Sequence, residues 1–538
     1  MKLATRAELQ GRTHDVLIVG AGIVGCGIAR DLALRGLSVA LVDADDIGSG
    51  TTSRSTRLIH GGLRYLEMLD FGLVREDMRE REVLLRIAPH LVKPLPFLVP
   101  MYRWPAWKRD RLRLGMILYD LLSYDKSLPW HRFLSRAETL AAEPALNPEG
   151  LQGAARYYDC QVEFPERLAL ANALDAARHG GLIRTYTRAE GFVVEDGAVK
   201  GVRATTVGET APYEIRARLT VNASGPWLDG TLTGVPDVRG PLLRRTKGVH
   251  LVMAPTTRNA ILLLAARDGR VFFLVPWNGY SLVGTTDTDF VDDPSRARAE
   301  SDDVRYLVRE AAAAFPSLAR AQIHLGMAGV RALVRKEGVR EGQVSRKHAV
   351  REHARQGGPP GLLSVLGGKI TAYRDIAEEV GTLVAARLGV RARCITSSAP
   401  LPGGESPPES VERGLSARGA QAGVSIEAIR YLVGLHGTHA SDVLDLVDRD
   451  PALAAPIGSG SPAIAAQVIH AVREEGAISL ADVLLRRVPL GLGSGGAVPL
   501  AARVAELMSE TLGWTATDRG NAEARYAAEI QERYQAPT

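Results

Sequence analysis

The first apolar segment of the chain is a short run of mostly branched side chains that leads directly into a glycine-rich turn. Residues 16–19 read VLIV and residues 20–25 read GAGIVG. An alanine- and leucine-rich stretch over 28–35 follows, and a second apolar run over 38–42 ends at Asp43. Continuous apolar runs of this length are typical of parallel strands that are buried on both faces. The pattern predicts a strand, a helix that ends at Gly36, and a second parallel strand.

Later segments form two groups, and only the second, over about 245–330, has an antiparallel pattern. We predict a helix over 167–179, which short strands follow over 181–186, 192–202 and 213–219. Apolar runs over 248–253, 271–277 and 280–285 come next, and the last two are joined by an Asn-Gly turn at 278–279. A strand begins near residue 362. A linker rich in proline and glycine covers 400–410, and amphipathic helical patterns continue beyond it.

Composition excludes several protein classes and selects no partner. The 538 residues are 46% hydrophobic and 24% charged, which excludes a disordered chain, a collagen and a coiled coil. The 66 basic residues are nearly balanced by 61 acidic ones, so the net charge of +5 does not indicate nucleic acid. No apolar run reaches the ~18 residues of a membrane span, and the first 15 residues lack the apolar core of a secretion signal.

Metal binding and disulfides are not expected. Cys26, Cys160 and Cys394 lie far apart, which disfavours a disulfide framework, a cysteine-rich zinc site and an iron–sulfur cluster, and favours the cytoplasm. His436 and His439 have no recognisable metal-ligand pattern around them, and we interpret them as surface or capping residues. We therefore predict no metal site.

The spacing of the glycine-rich turn has a mechanical interpretation. Gly20 permits a tight turn, Gly22 lets the backbone approach a pyrophosphate, and Gly25 lets the helix pack on the strand. The helix that begins near Ile23 and Val24 offers N–H groups and a positive dipole end to the phosphates. Asp43 can accept hydrogen bonds from ribose hydroxyls. Strand, helix, second strand and terminal acid occur in order, so we predict dinucleotide binding.

The residues after Asp43 favour FAD over NAD. Residues 48–57 read GSGTTSRSTR, and a diglycine follows at 61–62. Small hydroxyl residues followed by a diglycine suit a backbone that wraps closely around a flavin. A strand that ends in a small-residue turn over 219–227, and a strand with a diglycine over 362–371, complete the pattern.

Seven segments resemble a known family. They read LIHGGLRYLE at 58–67, EREVLLRIAPHL at 80–91, VNASGPW at 221–227, VGTTDT at 283–288, GVRAL at 329–333, LGGKITAYR at 366–374 and ADVLLRR at 481–487. Together they resemble the FAD-dependent glycerol-3-phosphate dehydrogenases of the D-amino-acid-oxidase-like flavoprotein superfamily, over nearly the whole chain. One departure is Ala332, where the family usually has proline.

The resemblance, together with the element pattern, implies an α/β fold in which a Rossmann-type FAD-binding domain is interleaved with an antiparallel-sheet substrate domain and followed by a C-terminal α-helical domain. We expect the FAD-binding domain at 14–90, 150–245 and 330–398, and the substrate domain at 91–149 and 246–329. The linker at 400–410 leads to the helical domain at 411–530. The cofactor contacts are expected at Gly20, Gly22, Ile23, Val24, Gly25, Asp43, Thr51, Thr52, Ser53, Ser55, Leu58, Ile59, Gly61, Gly62, Ala223, Gly225, Gly367, Gly368, Lys369 and Ile370.

The substrate site is expected to hold an anionic alcohol, because an unpaired dianion in a closed site is costly and Arg and Lys can neutralise it. The resemblance supplies the substrate, sn-glycerol 3-phosphate, and the product, dihydroxyacetone phosphate. His60 is the candidate proton acceptor; it could instead be structural, with an arginine-lined site passing the proton to water. The candidate substrate contacts are Arg64, Tyr65, Arg331, Arg346, Lys369 and Thr371, of which Arg331 is also a candidate catalytic residue.

The electron acceptor is open at this stage. The resemblance implies a quinone and peripheral binding to the inner face of the cell membrane, and the aromatic and basic residues over 97–123 suit a headgroup region. A domain-surface helix with buried tryptophans is the alternative for that segment. Rival functions are an oxygen-dependent glycerol-3-phosphate oxidase, another hydroxy-acid or amine flavoenzyme, and a non-catalytic basic binding protein. The oligomeric state, with a homodimer as one alternative, is left open.

Overall fold

The computed structural model of the protein describes residues 1–63, 66, 70–335 and 347–537. Within these ranges, two large sheets and a C-terminal group of helices form the architecture. The helices that precede the C-terminal group are Arg6–Gln10, Ile23–Leu34, Phe71–Ile87, Ala106–Leu122, Arg136–Ala142, Pro165–Arg178, Leu228–Thr231, Ser301–Ala314 and Tyr373–Leu388.

The first sheet is built around the parallel strands that the sequence predicts. Its strands lie in the order Ala349–Glu352, Leu362–Leu366, Tyr213–Asn222, His14–Val19, Val39–Val42 and Leu182–Arg184. All neighbours are parallel except the first pair. The strands Thr187–Glu195 and Ala198–Thr206 form a hairpin that pairs with the first half of Tyr213–Asn222.

Both faces of this sheet are covered, as its continuous apolar strands require. Three helices, Ile23–Leu34, Pro165–Arg178 and Tyr373–Leu388, contribute to the cluster that covers one face. The hairpin and the short helix Arg6–Gln10 cover the opposite face. Parallel strands flanked by packed layers confirm the predicted Rossmann-type arrangement.

The second sheet is mainly antiparallel. Its strands lie in the order Thr288–Asp289, Leu243–Met253, Tyr280–Gly284, Val271–Trp277, Ala260–Leu264, Val92–Tyr102, Leu151–Val162 and Leu58–Ile59. Ile323–Val334 pairs with Leu243–Met253, and Arg132–Ser135 pairs with Leu151–Val162. The predicted turn at Asn278 and Gly279 joins two of these strands, and both residues have positive φ values, of 48° and 75°. The predicted antiparallel sheet is therefore present.

The C-terminal helices are Pro408–Gln421, Ile426–His436, Ala440–Arg449, Ala465–Glu475, Ala501–Leu512 and Ala516–Arg533. Buried ion pairs join this region to the first sheet's helices and loops. Arg487 donates to Asp46 at 2.8 Å, and Arg167 lies 2.7 Å from Glu475. Burial opposes the ionisation of Asp46, but Arg487 and Arg486 outweigh that effect and lower its pKa. These ion pairs attach the helical domain to the cofactor-binding body, and removing either partner would leave an uncompensated buried charge.

Two expectations differ from the structure. The single strand expected over 192–202 is wrong, because the chain reverses at Asp196 and Gly197, whose φ values are 50° and 73°. An Asp-Gly pair with positive φ at both positions is the usual two-residue hairpin turn. The strand Leu151–Val162, which the sequence grouping placed with the FAD-binding segments, pairs instead with Val92–Tyr102 in the second sheet. Domain limits therefore remain a proposal.

Candidate cofactor and substrate site

Two glycines around the start of the helix Ile23–Leu34, Gly20 and Gly25, leave no room for a side chain. Gly20 has a φ of 108°, and a Cβ built on it would lie 2.6 Å from the carbonyl oxygen of Ala223. A Cβ on Gly25 would lie 1.8 Å from the carbonyl oxygen of Gly20. The turn at Gly20, the backbone at Ala223 and the start of the helix therefore lie in close contact, and together they form a cofactor cradle in which the N–H groups of the helix N-terminus are available. This cradle fits the pyrophosphate of a dinucleotide.

Asp43 follows the strand Val39–Val42 and lies beside this turn. Its Oδ2 accepts a hydrogen bond from the N–H of Ala21 at 2.6 Å, and its Oδ1 accepts one from the N–H of Asp45 at 2.8 Å. Burial raises the pKa of Asp43 to about 7, which the two backbone hydrogen bonds oppose and the nearby carboxylates of Asp45 and Asp46 support. The carboxylate is thus oriented at the strand end, where ribose hydroxyls can donate to it.

A loop of hydroxyl side chains crosses the N-terminus of the same helix. The Thr52 hydroxyl accepts a hydrogen bond from the N–H of Ile23 at 3.0 Å. The Thr51 hydroxyl donates to the carbonyl oxygen of Val330 at 2.7 Å. The loop therefore connects the cofactor cradle to the strand that carries Arg331. Other predicted cofactor contacts along these segments are Gly22, Val24, Ser53, Ser55, Leu58, Ile59, Gly61, Gly62 and Gly225.

Two diglycine segments meet next to this loop. The Thr371 hydroxyl accepts a hydrogen bond from the N–H of His60 at 3.2 Å, which joins the segment before Gly61 to the segment after Gly368. A Cβ on Gly367 would lie 3.3 Å from the carbonyl oxygen of Ala332. The helix Tyr373–Leu388 begins after the turn that holds Ile370 and Thr371.

Arg331 is held in one orientation by its neighbours. Its Nη1 lies 3.0 Å from Oδ1 of Asp287, and its Nη2 donates to the hydroxyl of Thr285 at 2.8 Å and to the carbonyl oxygen of Thr286 at 3.2 Å. Its side chain is 18% exposed. A Cβ on Gly248 would lie 2.2 Å from Nη2, so the guanidinium lies flat against the neighbouring strand. An oriented, mostly enclosed guanidinium suits the binding of a phosphate.

Lys369 is paired with a carboxylate that the sequence does not indicate. Its Nζ lies 2.5 Å from Oδ2 of Asp77, on the helix Phe71–Ile87. Burial raises the pKa of Asp77 to about 6, while Lys369 favours its ionised form. The two residues are 292 positions apart in the chain. No local spacing rule could have joined them.

His250 is a second residue that the sequence does not single out. It is buried in the strand Leu243–Met253, and its Nε2 lies 2.9 Å from the hydroxyl of Thr56. Burial, with the positive charges of Arg331 and Arg57, lowers the pKa of His250 to about 3. The imidazole is therefore neutral at physiological pH. His60, by comparison, is half-buried, with its ring edge-on to Phe273 at a centroid distance of 6.2 Å.

Three predicted substrate contacts lie outside the described residues. These are Arg64, Tyr65 and Arg346. The described candidates His60, Arg331, Lys369 and Thr371 lie on segments that meet one another around the two diglycines.

A buried histidine cluster in the C-terminal region corrects one interpretation. His436 is 3% exposed, so it is not a surface residue. It lies with His470 and Glu475 at spacings that a metal ion could accept. However, the guanidinium of Arg167 already donates to Glu475 at 2.7 Å and to Nδ1 of His436 at 3.2 Å. Burial lowers the pKa of both histidines. Arg167 supplies the positive charge that a metal would bring, and the cluster joins two domains.

Comparisons with known proteins agree with this site. Residues 15–374 match the family model described as FAD dependent oxidoreductase, and residues 394–519 match the C-terminal domain of alpha-glycerophosphate oxidase. The glycerol-3-phosphate dehydrogenase of Synechocystis sp. is 37% identical over 525 residues, which cover 94% of each chain. Glycerol-3-phosphate dehydrogenase 2 of Mycobacterium bovis is also 37% identical, over 96% of this chain and 88% of its own.

A solved structure extends the similarity to the whole fold. The glycerol-3-phosphate dehydrogenase from Bacillus halodurans, complexed with FAD, has a TM-score of 0.80 and 27% identity, and the match covers 98% of this chain and 96% of that one. The glycine cradle, the strand-end acid and the hydroxyl loop fit that cofactor. The chain belongs to the family of FAD-dependent glycerol-3-phosphate dehydrogenases, and its cofactor is FAD.

Proposed function

We propose that the protein oxidises sn-glycerol 3-phosphate to dihydroxyacetone phosphate and passes the electrons to a membrane quinone. The observation that carries this proposal is the position of two held cations. Arg331 and Lys369 lie on segments that contact each other at Ala332 and Gly367 and that also meet the hydroxyl loop of the cofactor cradle. A phosphorylated alcohol needs both its dianion and its reacting carbon fixed, and two oriented cations beside a flavin site meet that need.

The reaction removes two electrons and two hydrogens from the secondary alcohol. When bound, FAD supplies the acceptor for the hydride from the carbinol carbon. The chain's own residues bind the phosphate through Arg331 and Lys369 and take the proton from the hydroxyl as the carbonyl forms. We propose His60 as the acceptor of that proton, because its backbone lies at the junction of the two diglycine segments and its side chain is only half-buried. His250 is a weaker base, since burial and two arginines lower its pKa.

An anaerobic bleaching experiment tests the proposed substrate. The purified yellow protein is mixed without oxygen with glycerol 3-phosphate, and with glycerol, glycerol 2-phosphate and lactate as comparisons. We expect glycerol 3-phosphate to bleach the visible flavin absorbance fastest, because the other compounds lack the phosphate or the correctly placed alcohol. Equal bleaching by lactate, or none by glycerol 3-phosphate, would contradict the proposal. The second result would support a non-catalytic binding protein.

The electron acceptor needs a separate measurement. With glycerol 3-phosphate as reductant, we expect rapid reduction of a short-chain ubiquinone analogue and little hydrogen peroxide in air. A peroxide yield that matches substrate consumption, with slow quinone reduction, would assign the protein as an oxidase instead.

The helix Ala106–Leu122 is the surface that we propose to contact the membrane. Trp107, Leu114, Ile117 and Leu121 recur at a helical spacing and are 65%, 67%, 49% and 56% exposed. Tyr124 and Trp130 continue the exposed apolar surface, and the exposed Arg111 and Arg113 lie along the same helix. No helix in the described part of the chain is long and apolar enough to cross a bilayer. An amphipathic helix with basic residues suits binding in the plane of the headgroups.

Replacing Trp107, Leu114 and Leu121 together with serine should reduce binding to anionic liposomes at least about tenfold, since each apolar side chain contributes roughly 1.5–3 kcal/mol when it is fully buried. Co-flotation with phosphatidylglycerol vesicles at low and high salt measures the effect. The matched control replaces Val207 and Val291, which are 73% and 85% exposed elsewhere on the surface. Equal flotation of both variants, or no flotation of the unmodified protein, would remove the helix from the proposal.

A further inference from the structure

One buried carboxylate next to the proposed site has no assigned role. Asp77 has a fully buried side chain, and its Oδ2 lies 2.5 Å from Nζ of Lys369. Its other oxygen, Oδ1, has no hydrogen-bond partner among the described residues. A buried carboxylate is unfavourable unless a positive charge compensates it. The ammonium of Lys369 provides that positive charge, and the contact between the two groups needs an explanation.

Asp77 does not belong to the other ion-pair network on this helix. Arg81, one turn further on, donates to Asp159 at 2.6 Å, and the hydroxyl of Tyr119 donates to the second oxygen of Asp159 at 2.6 Å. That network is satisfied without Asp77. Among the groups that act on Asp77, burial and the carboxylates of Glu76 and Asp159 disfavour its ionised form, and Lys369 favours it. Asp77 thus faces the diglycine turn rather than the helix packing behind it.

The position of a lysine ammonium is not fixed by the side chain itself. Its ammonium is a point charge at the end of a flexible four-carbon stem, and fixing it costs side-chain entropy. Lys369 follows two glycines, with φ values of 72° and 115°, which have no side chains that could pack against its stem. An ammonium has three N–H donors, so a bond to a carboxylate is compatible with a bond to a substrate anion.

We propose that Asp77 is the positioning residue for Lys369: it holds the ammonium in the place where the anionic substrate is bound and oxidised. The inference rests on the proposed function for its kinetic consequence, and on the Asp77–Lys369 contact for its geometry. Asp77 itself need not touch the substrate. Its effect on the reaction passes through Lys369.

The kinetic test compares Asp77→Asn, Asp77→Glu and the control Glu76→Gln by anaerobic stopped-flow reduction of the bound flavin with glycerol 3-phosphate. Glu76 is the adjacent, exposed carboxylate on the same helix. We expect Asp77→Asn to lower the limiting reduction rate per bound flavin by about 10- to 100-fold, as a small displacement of a substrate-holding group can do. Asp77→Glu should recover part of that loss, and Glu76→Gln should lose nothing.

A double-mutant cycle separates positioning from a general structural role. In a Lys369→Met background, Asp77→Asn should have less than about a twofold further effect, because its target is absent. The ratio of wild-type to Asp77→Asn rates gives a second signature. Burial raises the pKa of Asp77 to about 6, so the carboxylate is charged above that pH and protonated below it. The ratio should fall towards one as the pH drops below 6, and ionisation of the substrate phosphate cancels in the ratio.

A substrate-independent measurement distinguishes failure of this inference from failure of the proposed function. The chain has nine lysines, so acylation of each can be followed by mass spectrometry. In the flavin-loaded protein, Lys369 should be acylated more slowly in the wild type than in Asp77→Asn, with Lys200 as the internal reference. If Lys369 is protected from acylation in the wild type but glycerol 3-phosphate does not reduce the flavin, the positioning contact is retained and glycerol 3-phosphate is rejected as the substrate. Equal acylation, or additive losses in the double mutant, would overturn the role of Asp77.

Loss of flavin from Asp77→Asn would not leave the question open. Asp77→Glu keeps the charge and moves it by one methylene group, and it is then measured in the same assays. Full reduction rate and full Lys369 protection in Asp77→Asn contradict the inference. If Asp77→Asn loses its flavin, an Asp77→Glu variant in which Lys369 is no longer protected but the reduction rate is unchanged contradicts it as well. A slowed rate with retained flavin supports it.

Discussion

Replacing Arg331 with alanine is expected to lower kcat/KM for glycerol 3-phosphate about a thousandfold while FAD stays bound. The guanidinium is held by Asp287, Thr285 and the carbonyl oxygen of Thr286, and only 18% of the side chain is exposed. Removing one partner of an enclosed charge pair costs roughly 2–5 kcal/mol, and about 4 kcal/mol corresponds to a thousandfold change. Steady-state kinetics and the flavin absorbance per protein measure both parts of the expectation.

The matched controls for Arg331 use an arginine just beyond the end of its strand, and a substitution that keeps the charge. Arg335→Ala removes an exposed arginine four residues further along, and it should leave kcat/KM within about twofold of wild type, as surface substitutions generally do. Arg331→Lys keeps the charge but loses the planar fork, so its kcat/KM should lie between wild type and Arg331→Ala. If Arg331→Ala releases the flavin, or keeps normal kcat/KM, then the residue is structural and the substrate contact must be sought elsewhere.

The parts of the fold that could be predicted are those with a local cause. The turn at Gly20 and Gly25, the strand that ends at Asp43 and the hairpin at Asn278 each depend on residues within a few positions of one another. The hairpin at Asp196 was equally local, and reading 192–202 as one apolar segment overlooked its Asp-Gly turn signal. The sequence contains the information needed to predict this hairpin, because Asp196 and Gly197 form the turn signal.

Other features could not be predicted because their causes are distant in the chain. Asp77 meets Lys369 across 292 positions, and Arg167 reaches Glu475 across 308. His436 stands in no recognisable metal-ligand pattern in the sequence, and its burial, with the guanidinium of Arg167 against it, depends on contacts with the distant helix Pro165–Arg178. The sequence indicates which residue types a phosphate site needs. Which carboxylate orients which cation depends on packing between elements, for which one sequence carries no spacing rule.

The strand Leu151–Val162, expected among the FAD-binding segments, lies in the second sheet for a similar reason. Its apolar pattern identifies a strand, but a strand's partners are set by where its neighbours lie after folding. Val92–Tyr102 pairs with it along nearly its whole length, and the short strand Arg132–Ser135 pairs with part of it, and these pairings place it in the second sheet. When segments that are adjacent in the chain belong to different sheets, the domain boundaries cannot be located from the order of the elements alone.

Replacing Gly25 with alanine is expected to produce protein without bound FAD. The new Cβ would lie 1.8 Å from the carbonyl oxygen of Gly20, a backbone atom that cannot rotate away as a side chain can. The helix Ile23–Leu34 must then move away from the turn, and its N–H groups leave the cradle in which the pyrophosphate is bound. Overpacking typically costs about 1–3 kcal/mol and occasionally more. Because the blocking atom here belongs to the backbone, we expect the upper end of that range, which corresponds to a loss of FAD affinity of about a hundredfold. Visible absorbance per protein and titration of the apoprotein with FAD measure the loss.

The control for Gly25 is a helical glycine that has space around it. Gly414 lies in the helix Pro408–Gln421, and a Cβ there would meet nothing within 4 Å. Gly414→Ala should keep its flavin and gain up to about 1 kcal/mol of stability, because alanine is the better helix former. If both variants kept full flavin content, close approach at Gly25 would not be what shapes the cradle. If both lost it, the effect would reflect general instability of the chain. Loss in Gly25→Ala alone ties FAD binding to the contact between Gly20 and the helix N-terminus.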